Sequence, residues 1–428
     1  MAKNKKEMIP EERLAAALVP EEEQPYELPD GWKWVHLGGI LDVSKKKMEE
    51  FTPDTKYVGL ENIEKDTGVI RAVNTDGIKS TKNVFEAGDI LYGKLRPYLN
   101  KHGVVEFSGV CSTDILVFKT SPLMENKLIN HYFDLPQVIS FAVSHSKGIN
   151  LPRVNAKDIL NICVPLPPLS EQQRLVARIE SLFAKLDAAK AKVQAVLDAH
   201  ETRKAALLHD AFAGKLTAKW REARGVTGDV YQSMPLADVC KSIFDGDHMP
   251  PPKSSRGIPF VVISNVNKGK LDFSETRFVP QDYYDKLTDT RKPESGDVLY
   301  TLVGTYGIPV LVDTDRAFCF QRHMALLKPN EEAVLQRYLW YALQQRNFYQ
   351  SATKIAKGTA QLTVPIKGLR QLTIPMTSLP EQQEIVAILD RLLGREEEVR
   401  QSAESVLAAI DSMKQSILAR AFHGELGA

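Results

Sequence analysis

Leu169-Ser170-Glu171-Gln172-Gln173-Arg174-Leu175 opens a helical pattern that runs to about Phe212, and the reading of this stretch decides the fold. Its apolar positions are Leu175, Ile179, Leu182, Leu186, Ala189, Val193 and Val196. They alternate steps of four and three, the seam of a coiled coil. Shifting every number by 210 gives a second seam: Ile385, Leu389, Leu392, Glu396, Val399, Ala403 and Val406, continuing through Ile410, Met413 and Ile417. The flanks repeat too. Leu169, Glu171, Gln172, Gln173, Val176 and Ala177 recur as Leu379, Glu381, Gln382, Gln383, Val386 and Ala387. Lys204, Leu208, Ala211, Phe212, Gly214 and Leu216 recur as Lys414, Leu418, Ala421, Phe422, Gly424 and Leu426. The offset is constant from Val164/Ile374 to Ala218/Ala428, so the chain is a tandem duplication.

The segments between the helices repeat more loosely. Val58-Gly59-Leu60-Glu61-Asn62-Ile63 is echoed by Val261-Val262-Ile263-Ser264-Asn265-Val266, and Gly88-Asp89-Ile90-Leu91-Tyr92 by Gly296-Asp297-Val298-Leu299-Tyr300. Lys147-Gly148 and Val154 return as Lys357-Gly358 and Val364. Short β-type runs and helical patterns mix in each segment, which predicts an α+β fold. The expected organisation is a disordered or loosely attached tail (1–25), a first module (26–168), a long helix (169–220), a linker (221–229), a second module (230–378) and a C-terminal long helix (379–428). Ser170 with Gln173 fits a capping box at the first helix start, and Gly214 suits its end.

Each helix would be about 60 Å long, too long to be covered by its own module. Two in one chain are most simply buried against each other. The fold expected is therefore two similar α/β modules related by pseudo-twofold symmetry, separated by two long antiparallel helices that form an intramolecular coiled coil. The helix-pair interface would comprise Leu175, Ile179, Leu182, Leu186, Val193 and Val196 with Ile385, Leu389, Leu392, Val399, Val406, Ile410 and Met413. Glu396, and His200 and Arg203 against the pattern of Ile410 and Met413, interrupt the seam, as positions that fix register or mark frayed ends.

Composition bounds the function. A hydrophobic content of 43% with 25% charged residues is that of a soluble globular protein, and no run approaches a membrane span. The reading is a cytoplasmic chain without a signal peptide. Cys111, Cys163, Cys240 and Cys319 are scattered without a CxxC pair, the pattern of buried thiols rather than of zinc ligands. A net charge of +1 requires any nucleic-acid surface to be a local patch.

There is no phosphate loop, dinucleotide fingerprint, HExxH or GxSxG, and the histidines do not cluster at metal spacings. No catalytic residue and no metal site are assigned. Asp245-Gly246-Asp247-His248 reads as a solvated Asx-type turn rather than a metal site, and the two Gly-Asp pairs as strand-launching turns.

The basic loops carry more information. The first module offers Lys94, Arg96, Tyr98, Asn100, Lys101 and His102, then Ser146 and Lys147 within Ser144–Asn150. The second offers Lys253, Arg256, Thr305, Tyr306, Gln321, Arg322, His323, Lys354, Lys357 and Gln361. Arg, Lys and Asn can address base edges or phosphates, and Tyr can stack or bond a phosphate. The plainer reading of each residue singly is solvated surface, as for Lys45-Lys46-Lys47.

The order of parts resembles the specificity subunit of type I restriction–modification systems. The resemblance covers about Pro25 to Ala428. It rests on Leu28-Pro29-Asp30-Gly31-Trp32, the Val164-Pro165-Leu166-Pro167-Pro168-Leu169 lead-in, Leu-Ser-Glu-Gln-Gln and Leu-Pro-Glu-Gln-Gln at the helix starts, and Ala-Phe-x-Gly-x-Leu at Ala211–Leu216 and Ala421–Leu426. The resemblance implies two target-recognition domains, each reading half of a bipartite asymmetric site in double-stranded DNA, with the helices setting the unread spacer. It further implies docking of two methylation subunits and, through them, restriction/translocase subunits. Those partners would use S-adenosylmethionine, ATP and Mg, while this chain would bind no cofactor and catalyse nothing. The alternatives are the specificity partner of a fused restriction–methylation enzyme, a self-contained DNA-modifying enzyme, or a coiled-coil interaction protein without a DNA role.

Overall fold

The computed structural model describes residues 9–78, 80–228, 230–246, 251–359 and 361–427. The chain is α+β and divides into two compact units, residues 1–194 with 405–428, and residues 195–404. These cut across the expected boundaries: each long helix, treated above as a domain of its own, is shared between the units.

In the first unit the runs Ile90-Leu91-Tyr92 and Ile115-Leu116-Val117-Phe118 are apolar throughout because both faces of their sheet are covered. Alternate residues point to opposite faces of a strand. Ile90, Tyr92, Leu116 and Phe118 therefore join one core, with Leu128, Ile129, Tyr132 and Phe133 of the helix Asn126–Phe133. Leu91, Ile115 and Val117 join another, with Val58, Phe85 and Cys111. The sheet is antiparallel in the order Leu41–Val43, Ile115–Thr120, Ile90–Gly93, His102–Val104. A second four-stranded sheet includes a parallel pair, Tyr57–Val58 with Gly109–Cys111.

The second unit repeats the plan. Its antiparallel sheet runs Cys240–Asp245, Met324–Pro329, Val298–Thr301, Pro309–Leu311, and Ile258–Val261 pairs in parallel with Cys319–Phe320. Its strands divide likewise, Val298, Tyr300, Ala325 and Leu327 to one core and Leu299, Met324 and Leu326 to another. The two Gly-Asp pairs are turns, as their recurrence implied. Gly88 and Gly296 take φ of +93° and +95°, a region that favours glycine. Asp89 and Asp297 are buried, accept the backbone N–H of Glu86 and Glu294, and pair with Lys119 and Lys328.

The long helices span Leu169–Asp198, continued after Ala199 by His200–Phe212, and Leu379–Phe422. The capping-box reading is corrected, since Ser170 lies inside the first helix, which starts at Leu169. The helix start is tied down instead by the buried Gln172. Its Nε2 donates to the carbonyls of Leu123 and Pro167 at 3.0 and 2.9 Å, and its Oε1 accepts the N–H of Glu125 at 2.8 Å. Gln382 does the same with Ala333, Thr377 and Leu335. Gly214 and Gly424, both at φ +74°, follow the helix ends as expected.

In the first unit Arg174 donates to the Leu426 carbonyl, Asp187 pairs with Lys414 and Lys190 with Asp411. One number rises as the other falls, so these segments run antiparallel. In the second unit Arg203 pairs with Glu396 at 2.8 Å and Arg221 with the buried Glu381 at 2.5 Å, in the same sense. Of the expected seam positions, Leu175, Ile179, Ile385, Leu389 and Ile410 are buried, the first four in cores that include module residues, while Leu182, Leu186, Val193 and Leu392 are half-buried. Val196, Val399, Val406 and Met413 of the same pattern are 38%, 44%, 45% and 53% exposed. Ala189 is exposed as well. Lys190, Leu197, Arg400, Leu407 and Lys414 take those places, half-buried. The stripe thus follows the 3.6-residue turn of a straight helix, from which a strict heptad drifts by about 20° per repeat.

The tail is also corrected where it is described. Pro10–Ala16 is a helix, Arg13 donates to the carbonyls of Gly38 and Leu41 and pairs with Asp42, and Val19 is buried beside Trp34. One arginine meeting three acceptors anchors a segment whose composition alone reads as tail.

Replacing Gln172 or Gln382 with leucine leaves one N–H and two carbonyls without their partner. Each variant is expected to lose about 3 kcal/mol of stability or more in urea denaturation, at about 1–3 kcal/mol for each of the three orphaned groups.

Candidate nucleic-acid interface

Three segments that are distant in sequence meet in each unit. In the first, Lys94 N–H donates to the Asp114 carbonyl at 3.0 Å, Val154 N–H to the Lys94 carbonyl at 3.0 Å, and Arg96 N–H to the Pro152 carbonyl at 2.7 Å. In the second, Leu302 N–H donates to the His323 carbonyl at 2.8 Å, Val364 N–H to Leu302 at 2.9 Å, and Gly304 N–H to Leu362 at 3.0 Å. The loops singled out at 94–102 and 144–150 therefore form one surface in the first unit. Those at 302–306, 321–323 and 357–361 do so in the second. The return loops are pinned alike, by paired backbone bonds between Lys147 and Arg153 and between Lys357 and Thr363.

Within these frames the side chains differ. In the first unit Arg96 and Lys147 are exposed, Tyr98 is 51% exposed, and Ser146 is half-buried with its hydroxyl on the Val143 carbonyl. Lys94 is half-buried, 3.9 Å from Asp114. Asp114 also receives Nε and Nη2 of Arg153 at 3.1 and 3.3 Å, which raises the Arg153 pKa. Asp114 and Arg153 were missed from sequence; Arg153 adjoins the recurring Val154, whereas Asp114 reaches the frame only through the Lys94 N–H on its carbonyl.

Three candidates of the first unit turn inward and are corrected as base readers. Asn100, at φ +43°, is buried with Nδ2 on Asp134 at 3.0 Å. Lys101 spends its ammonium on the Leu60 carbonyl at 2.7 Å. His102 is buried, with Nδ1 2.8 Å from Asn130 and Nε2 3.1 Å from Asp134. Burial lowers the His102 pKa, but Asp134 and Asn130 outweigh it and hold it above the ordinary value. His131, 4.0 Å from the same carboxylate, is pushed down by its burial.

In the second unit Thr305, Arg322, Lys354, Lys357 and Gln361 are exposed, and Gln321 and His323 half-buried. Arg322, His323 and Gln361 line one concavity of about 380 Å³ with Asp245, Val303, Thr363 and Ile366, of which the last three were missed. Burial and the neighbouring Arg322 lower the His323 pKa. Tyr306 is corrected: it is buried, with its hydroxyl on Thr353 and its ring stacked on Tyr349, which is 44% exposed in its place. Lys253 and Arg256 are exposed on a different turn, held to the Phe278 carbonyl through Ser254. Of the sequence Asp245-Gly246-Asp247-His248, the last two lie outside the described residues. Among the described residues no cluster of metal-ligating side chains is present.

The family described as the type I restriction modification DNA specificity domain matches residues 29–198 and again residues 229–404, the two repeats. The chain belongs to that family. Among its relatives, the Escherichia coli type I restriction enzyme EcoDI specificity subunit is 33% identical over 198 residues, 45% of this chain and 44% of that one. The E. coli EcoBI subunit is 24% identical over 310 residues, 69% and 65% of the two chains. The chain thus spans less than two thirds of either relative. The Methanocaldococcus jannaschii MjaVIII subunit is 24% identical, covering 85% and 86%. The fold is that of the HsdS subunit from Thermoanaerobacter tengcongensis (TM-score 0.60, 23% identity, 94% and 100% covered). A chain from a study of assembly and conformational transition in the type I R-M system has a TM-score of 0.75 at 22% identity, with 94% and 100% covered. Among the described residues no helix is long and apolar enough to cross a membrane.

Asp134 joins the 94–102 loop to two histidines, and its substitution should reveal their protonation. His102 is raised in the folded state, so its pairing stabilises the fold below the unfolded value of about 6.5 and the gain is lost as pH rises through the folded value. Asp134→Asn is expected to cost more stability at pH 6 than at pH 9 in urea titrations. An equal cost at both would assign Asp134 only its hydrogen bond to Asn100.

Proposed function

We propose that this chain is the sequence-specific DNA-binding specificity subunit of a type I restriction–modification complex. Each unit's module reads one half of a bipartite, asymmetric double-stranded site. The observation that carries this is the loop surface built twice on one backbone frame with different side chains: Arg96, Tyr98 and Lys147 in one unit, Thr305, Arg322 and Gln361 in the other. A shared frame with different contacts is what two readers of unlike sequences require.

In this reading the long helices pair as an intramolecular coiled coil about a pseudo-twofold axis, and the modules are recognition domains at fixed separation. The antiparallel ion pairs within each unit support it. The helices dock two methylation subunits, and restriction/translocase subunits join through them in the cytoplasm. S-adenosylmethionine, ATP and Mg belong to those partners; this chain supplies address rather than catalysis. Phosphate contacts would position each module, and base contacts at the loop tips would specify sequence.

Exchanging residues 26–168 for the module of another specificity subunit is expected to change one block of the methylated motif and leave the other intact. A change in both blocks, or in neither, would overturn the modular reading. Arg322→Ala is expected to relax specificity in the other block only, at a cost of roughly 1–3 kcal/mol in duplex binding. Equal weakening toward all sequences would make Arg322 a phosphate contact.

A further inference from the structure

Ile149 is fully exposed, at 101% of its reference area, at the tip of the 147–153 return loop. Its exposure is imposed by the loop. Lys147 and Arg153 exchange backbone hydrogen bonds at 2.9 Å in both directions. Gly148 takes φ +106°, and a Cβ there would lie 3.0 Å from the Leu151 carbonyl oxygen, so the turn is tight. Arg96 N–H on the Pro152 carbonyl fixes the loop to its neighbour. A branched aliphatic side chain held out on a rigid turn gains nothing from its own chain and is suited to a partner.

The surroundings say which partner. From Ser144 to Arg153 there is no carboxylate, while Lys147 and the adjoining Arg96 are exposed cations placed to meet phosphates. Asn150, the next residue, is exposed as well. An aliphatic group can distinguish one feature in the major groove, the thymine C5-methyl, and an asparagine addresses the N6/N7 edge of adenine. Ile149 and Asn150 side by side thus offer the two chemistries of a single A·T pair. The second unit differs at the matching turn. After Gly358 come Thr359 and, beyond a residue outside those described, Gln361, both exposed and polar.

We propose that Ile149 is a specificity-determining residue that packs on a thymine methyl in the half-site read by residues 26–168. This assignment rests on the DNA-reading function proposed above. Its test uses the full chain with its methylation subunits and duplexes of the bipartite motif in which single thymines are replaced by deoxyuridine, which removes the methyl and keeps the pairing. Binding is followed by fluorescence anisotropy. At one thymine of that half-site deoxyuridine is expected to weaken the wild-type complex about three- to fivefold, the size of one buried methyl. I149S should bind the normal duplex more weakly by a similar factor and lose sensitivity at that position. I149V, which keeps a branched tip, should retain it. Specific binding by the wild type with no sensitivity at any thymine of that half-site would overturn the assignment alone, as would sensitivity persisting in I149S. Failure of the wild-type complex to bind its motif specifically would overturn the DNA-reading function as well.

Discussion

Each long helix begins on a buried amide that ties it to its module. Gln172 and Gln382, the fourth residues of their helices, are buried, and each closes three hydrogen bonds to two segments of its own module. An amide has a donor end and an acceptor end, so it can satisfy carbonyls and an N–H at once, which neither a carboxylate nor an ammonium can. The direction in which the helix leaves the module is set there, where water cannot compete. Leu175 and Ile179 follow within two turns and reach the same core as Tyr132 and Phe133.

The modules show the same division between fixed and variable chemistry. The Gly-Asp turn, its lysine and the alternation of apolar residues over two cores are kept in both units. The loops hung from that frame share backbone hydrogen bonds and little else. A surface whose geometry comes from main-chain bonds can change side chains without refolding. This is how one architecture can carry two unlike surfaces.

Much of this was legible in the sequence, and the parts that were not have physical reasons. The constant offset revealed the duplication, and the 3–4 pattern revealed the helices. The drift of the buried stripe from Val399, Val406 and Met413 to Arg400, Leu407 and Lys414 was hidden because heptad and straight-helix spacing agree over the first turns and diverge later. Of the loop candidates, Arg96, Lys147, Arg322 and Gln361 face outward. Asn100, Lys101, His102 and Tyr306 do not, because each meets a partner from another segment: Asp134, Leu60, Asn130 and Thr353. No local pattern encodes such a meeting. The anchored helix at Pro10–Ala16 was missed for the same reason, since its hold is an arginine reaching residues 38 to 42.

The division of the chain bears on the order in which it can fold. Residues 195–404 form one unit continuously, but the other needs residues 1–194 together with 405–428. During synthesis the first module emerges long before Leu418, Ala421 and Phe422, which complete its core against Tyr132. The continuous unit can close as soon as Glu404 is available, whereas the earlier-made one waits with an apolar face uncovered. Domains generally fold in the order in which they are made. Here the core of the N-terminal half cannot be completed until residues 405–428 have been made, so the face that they cover stays open until then.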